Sequence, residues 1–167
     1  MIINVLQAKK AIGNEQMFEF VTSAAELAIE GETPWQNRVI GVEGRLVNNG
    51  RVMAVNGILS VDAQYQCDRC LEAFSVDLKV PFSDNYQQTS DEPVESEADL
   101  SYYTGDEIDI TALVRESLIL SEPLKTICKE DCCGLCPHCG MNLNNGQCDC
   151  QGKQVDPRLA VLQKLLK

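Results

Sequence analysis

Between positions 40 and 82 apolar and polar residues alternate with a period of two. Ile40, Val42 and Leu46 alternate with Glu43 and Arg45, and Asn49-Gly50 follows as a pair suited to a tight turn. From Met53 the odd positions read Met53, Val55, Gly57, Leu59, Val61, Ala63, Tyr65 and Cys67, against Asn56, Ser60, Asp62, Gln64 and Gln66 at even positions. That is a strand with one apolar face. A third run sets Phe74, Val76, Leu78, Val80 and Phe82 on one face and Ser75, Asp77 and Lys79 on the other. Three strands joined by short turns predict an antiparallel sheet, open or curled like a barrel. Residues 16–21 add an expected edge strand, and residues 24–30 a short helix.

Beyond position 108 the period changes. Ile110, Leu113, Val114, Ser117 and Leu118 recur at helical spacing, predicting a helix over about 109–120 with Asp109 or Thr111 as its cap and Pro123 as its stop. The tail opens with Asp156-Pro157, a cap followed by a proline at the first helical position. Leu159, Leu162, Leu165 and Leu166 then give a short C-terminal helix an apolar stripe. The expected fold class is therefore α+β. A sheet domain spans 1–127 and includes the helix. A cysteine-rich segment and the terminal helix span 128–167.

The chain has 167 residues, 44% hydrophobic and 23% charged, which suits one domain with an appendage and rules out wholesale disorder. No apolar run is long enough for a membrane span, and the first residues lack the pattern of a secretory signal. A cytoplasmic setting is expected. The net charge of -11 is uneven: residues 83–107 hold eight acids and no base, while the other positions together carry -3. We read that stretch as a solvated acidic loop in preference to a mimic of nucleic-acid charge. Residues 151–167 are net positive.

Nine cysteines in a chain able to build a core, in a reducing compartment, point to metal or redox chemistry. A C-x2-C turn aims two thiolates at one ion, and two such pairs complete a tetrahedral zinc site. Cys136-Pro137-His138-Cys139-Gly140 has the form of a zinc knuckle, and Cys148-Asp149-Cys150 follows after eight residues. One site is expected from Cys136, Cys139, Cys148 and Cys150. A second is expected from Cys67, Cys70, Cys128 and Cys132, with Cys67 and Cys70 at the turn between two strands. The spacing equally allows Cys67 and Cys70 to pair with Cys136 and Cys139, as two knuckles of a ribbon. Cys133 is left over in the first division. Thiolate ligation with no open position implies one or two structural zinc ions, and an iron–sulfur cluster has the same ligand type.

Other chemistry is poorly represented. There is no G-x-S-x-G, no G-x-x-x-x-G-K and no H-E-x-x-H. The single histidine, His138, lies inside the knuckle and reads as solvated. Trp35 reads as a packing residue. Arg69 offers a phosphate contact or, more plainly, an exposed charge beside Asp68 or Glu72. No small-molecule substrate and no membrane partner are expected.

The motifs taken together resemble the YceD family, the large ribosomal RNA subunit accumulation proteins. The resemblance runs through Cys67-Asp68-Arg69-Cys70-Leu71-Glu72-Ala73-Phe74, Arg115-Glu116, Glu122-Pro123-Leu124 and Cys128-Lys129-Glu130-Asp131-Cys132. It continues through the stretch 134–144, Cys148-Asp149-Cys150 and Asp156-Pro157-Arg158-Leu159-Ala160. It implies a non-enzymatic cytoplasmic factor in ribosome biogenesis, needed for accumulation of large-subunit (23S) rRNA. The implied partners are a large-subunit ribosomal precursor, a ribosomal protein or the 23S rRNA itself. Some members lack most of the C-terminal cysteines, so metal there implies added stability rather than the shared function. Two rivals stand beside docking: direct RNA binding, which the net charge disfavours, and thiol redox chemistry at Cys67 and Cys70.

Overall fold

The computed structural model describes residues 1–89 and 100–150. Its elements in chain order are β1 (Ile2–Asn4), β2 (Glu15–Ser23), β3 (Val39–Asn48), β4 (Met53–Gln66), β5 (Ala73–Gln88), β6 (Ser101–Tyr103), β7 (Glu107–Asp109) and α1 (Thr111–Leu120). The fold is α+β. Strands β2 to β5 form an antiparallel meander, and β6 joins the far side parallel to β5. The described sheet is open, with β2 and β6 at its edges. A separate two-stranded ribbon pairs β1 with β7.

The period-two pattern explains which face is buried. Ile40, Val42 and Leu46 of β3 and Val55, Leu59 and Val61 of β4 all point to one side, where they meet Val80 and Phe82 of β5. The ribbon and α1 complete that core with Ile3, Ile108, Ile110, Val114 and Leu118, and Trp35 and Leu27 belong to it too. One cross-strand row reads Phe18–Gly44–Gly57–Phe82. The rings of Phe18 and Phe82 lie over the two glycines. A Cβ on Gly44 would stand 2.5 Å from Phe18 Cζ, and one on Gly57 would stand 2.5 Å from the Glu43 carbonyl oxygen.

Several expectations need redrawing. Residues 83–107 are not loop throughout. β5 runs on to Gln88, and β6 and β7 occupy 101–103 and 107–109. The alternation continues through Tyr86, which is buried, and Asp84 at the same phase accepts a hydrogen bond from the Ser101 hydroxyl at 2.6 Å. Residues 24–30 make a turn rather than a helix. The amides of Leu27 and Ile29 reach back to the carbonyls of Ser23 and Ala24, but Ala28 adopts φ 52 and ends the coil. α1 begins after Ile110, and the Asp109 carboxylate accepts the amide of Thr111 at 2.9 Å. Residues 90–99 and the expected C-terminal helix, with its basic charge, lie outside the described residues.

β4 and β5 outrun β3. Their pairing continues past Ile40–Val61 to Gln66–Ala73, so the two strands project as an arm. Arg38 braces its base through an ion pair to Asp62 at 3.4 Å, and the Gln64 amide donates to the Pro34 carbonyl at 2.7 Å. Cys67 and Cys70 stand at the tip.

Candidate metal centre

Two turns of the same shape carry the C-x2-C pairs. In each, the amide after the second cysteine donates to the carbonyl of the first: Leu71 to Cys67 and Gly140 to Cys136, both at 2.9 Å. The first cysteine's amide in turn donates one residue further on, Cys67 to Glu72 at 2.9 Å and Cys136 to Met141 at 2.8 Å. This closure requires a left-handed residue after the second cysteine, and Leu71 (φ 60) and Gly140 (φ 74) both adopt it.

The segment after α1 is drawn onto the arm by the two residues between Cys67 and Cys70. Asp68 accepts the Thr126 amide at 2.6 Å and returns its own amide to the Thr126 carbonyl at 2.8 Å. The Arg69 guanidinium donates to the carbonyls of Cys132 at 3.0 Å and Glu130 at 3.4 Å. The Arg69 carbonyl accepts from the Leu135 amide at 3.1 Å. A Cβ on Gly134 would come within 3.0 Å of that oxygen, so this close approach needs glycine. Cys128 and Cys132 thereby arrive beside Cys67 and Cys70.

The sulfurs of Cys67, Cys70, Cys128 and Cys132 lie within 4.8 Å of one another. Those of Cys67 and Cys132 are 3.8 Å apart and those of Cys70 and Cys128 3.7 Å. Four sulfurs at ~2.3 Å from a central ion form a tetrahedron with edges of about 3.8 Å. Cys136, Cys139, Cys148 and Cys150 make a second group within the same 4.8 Å limit. Either group could hold a metal ion. The sulfurs do not assemble as Cys67 and Cys70 with Cys136 and Cys139. The first group is largely buried in its own apolar cluster with Phe74, Ile127 and Leu135, apart from the main core. In the second, Cys136 is buried, Cys148 and Cys150 are half-buried and Cys139 is exposed.

Amides favour charge on particular sulfurs. Burial opposes the Cys67 thiolate, but amides of Cys128, Cys70 and Arg69 outweigh it and bring that thiol down to about 6. The Asn144 side chain, 3.4 Å from the Cys132 sulfur, lowers Cys132. The Glu72 amide favours the Cys70 thiolate, yet burial and the Cys67 sulfur hold that thiol up. Burial, and then hydrogen bonds to its neighbours' sulfurs, push Cys128 up to about 12. In the second group the amides of Cys139 and His138 bring Cys136 down to about 6. Donation toward Cys139, with burial, pushes Cys150 up to about 12, and Cys148 is raised. Four adjacent thiols cannot all ionise without a cation among them, so some go down only as others go up. This donor set suits a soft or borderline dication.

Cys133 and His138 are exposed and stand outside both groups. Arg69 is committed to backbone carbonyls, and Trp35 is buried in the core. The residue that sequence reasoning misses is Asn144, since no spacing rule marks an asparagine as a donor to sulfur.

A family model described as Large ribosomal RNA subunit accumulation protein YceD matches residues 55–166. An uncharacterized protein of Mycobacterium tuberculosis is 24% identical over 153 residues, covering 90% of this chain and 73% of that protein. The uncharacterized protein YlbN of Bacillus subtilis is 30% identical over 135 residues, 77% of this chain and 74% of its own. A protein of Arabidopsis thaliana, Large ribosomal RNA subunit accumulation protein YCED homolog 1, chloroplastic, is 40% identical over 50 residues. That match spans 30% of this chain and 16% of that one. No solved structure matches.

Proposed function

From the premise that this chain belongs to the YceD family, the large ribosomal RNA subunit accumulation proteins, we propose that it is a non-enzymatic ribosome-biogenesis factor. In this reading it supports accumulation of large-subunit rRNA by docking to a ribosomal protein or a precursor particle. Each thiolate group holds one structural zinc ion, Cys67, Cys70, Cys128 and Cys132 in the first and Cys136, Cys139, Cys148 and Cys150 in the second. Zinc supplies charge neutralisation and a rigid cross-link. The protein's own residues set the shape around it.

The observation that carries this reading is the arm, a projecting hairpin whose tip is tied to the C-terminal segment around four convergent sulfurs, with a second group of four in that segment. Such a tip presents a fixed surface at a distance from the core. The sulfur spacing favours a single ion over a cluster of irons, because cluster ligands sit on different metal atoms and stand farther apart. The same spacing weakens the redox reading, since Cys67 and Cys70 belong to a set of four. Arg69, the arm's best phosphate ligand, is already engaged with the Glu130 and Cys132 carbonyls, which favours a protein contact over RNA.

The test is co-sedimentation of the full chain with large-subunit precursor particles at physiological salt. Docking predicts that it travels with the particles and that binding changes little with salt. Absence from every precursor fraction would sink the idea. Binding to deproteinised large-subunit RNA with steep salt dependence would replace it with direct RNA recognition.

A further inference from the structure

Only Cys133, Gly134 and Leu135 separate the last cysteine of the first group from the first cysteine of the second. Residues 140–147 join the second knuckle to Cys148, yet they fold back onto the first group. The Leu143 amide donates to the Gly134 carbonyl at 2.9 Å, and Leu135 pairs with Asn142 as an antiparallel bridge. At the end of this return stands Asn144. Its Oδ1 accepts the Cys133 amide at 2.9 Å. That bond sets which way round the carboxamide stands, because the opposite orientation would face two donors at each other. The NH2 is thereby aimed at the Cys132 sulfur at 3.4 Å and at Asn142 Oδ1 at 2.9 Å. By chain Asn144 belongs to the second group; by contact it belongs to the first.

We propose that Asn144 is a positioning residue that couples the two metal centres. An ion held by Cys136, Cys139, Cys148 and Cys150 closes the loop at both ends, and the closed loop delivers the Asn144 N–H to the Cys132 sulfur. An N–H donated to a ligating thiolate stabilises the charge that holds the ion and orients the sulfur. Removing such a contact costs roughly 10–100-fold in metal affinity. The coupling is reciprocal, so an ion at the arm tip tightens the second site by the same factor. This inference rests on the proposed metal reading of the two groups.

The test uses the full chain loaded with cadmium, each site followed by its own cadmium NMR resonance as EDTA is added. Variants Cys67→Ser and Cys148→Ser assign the resonances. Emptying the second site with Cys148→Ser plus Cys150→Ser should weaken the first site roughly 10–100-fold, and Asn144→Ala should do the same with the second site still filled. The combined variant should be no weaker than either. Asn144→Asp keeps the acceptor for the Cys133 amide but puts an anionic oxygen where the donor stood beside the Cys132 sulfur, so it should weaken the first site at least as much as Asn144→Ala. In the wild-type chain the Asn144 side-chain nitrogen should show scalar coupling to cadmium at the first site. First-site affinity within about twofold of wild type in both Asn144 variants, or losses that multiply in the combined variant, would overturn the coupling. A wild-type chain that takes up no ion would instead overturn the metal reading beneath it.

Discussion

Leu71 and Gly140 hold the same place in two knuckles of the same shape, and only one is glycine. A side chain in the left-handed region costs ~1–2 kcal/mol, and Leu71, 56% exposed, recovers little of that by burial. Leu71→Gly should therefore raise stability, by roughly 0.5–1 kcal/mol once the greater freedom of an unfolded glycine is subtracted. Chemical denaturation of the metal-loaded chain measures it; a loss would mean that the leucine packs better than its exposure suggests. Asp109 answers to pH. The hydroxyl and amide of Thr111 hold its carboxyl below the ordinary value, against some burial. A carboxyl lowered in the folded state contributes stability above its unfolded value of ~3.9 and loses it as pH falls through the lower folded value. Denaturation midpoints of wild type and Asp109→Asn should thus differ above about pH 4 and converge in stronger acid. Solvent screening keeps the difference small, since the side chain is 65% exposed. A gap that widens in acid would contradict the assignment.

Elements were legible where the alternation is unbroken, with one face buried in β3 and β4 and, in the first part of β5, with Phe74 and Leu78 half-buried and Val76 exposed. Asp84 hides the continuation of β5, because a carboxylate at an inward phase reads as the end of a strand until Ser101 is seen to receive it. β6 has three residues and pairs parallel, too little pattern for periodicity to register. The apolar spacing of 24–30 suits one helical turn and says nothing of the backbone reversal at Ala28. The cysteines announced themselves by number and spacing. Their division into groups depended on Asp68 and Arg69, whose bonds to Thr126, Glu130 and Cys132 have no local signature. The glycine row gives the element-scale prediction. Gly57→Ala lowers the entropy of the unfolded chain, a gain of about 0.5–1 kcal/mol. It also drives a methyl group into the Phe82 ring and the Glu43 carbonyl, an overpacking that costs roughly 1–3 kcal/mol. The net should be a loss, read as a lower denaturation midpoint with metal content unchanged. An unchanged midpoint would mean that the sheet can spread at that row.

Among the described residues there are two apolar clusters rather than one. The larger unites the sheet, ribbon and helix; the smaller surrounds Cys67, Cys70 and Cys132. No cysteine belongs to the larger. Chelation should therefore loosen residues 126–150 and the arm tip while the sheet stays folded. Hydrogen exchange would show it as protection lost around Cys128–Cys136 and kept in β3 and the first half of β4. Collapse of the entire chain on EDTA treatment would refute this division.

The same division has a consequence during synthesis. Cys70 precedes its sulfur neighbour Cys128 by 58 positions, and Cys67 precedes Cys132 by 65. At ~5–20 residues per second, 58 residues take about 3–12 seconds to translate. A β-hairpin forms in about 1–10 μs, so the arm can be complete long before Cys128 and Cys132 exist. For those seconds the nascent chain displays two unprotected thiols on a finished hairpin. On the proposed metal reading, those two thiols have to stay reduced and free of the wrong metal until the remainder arrives.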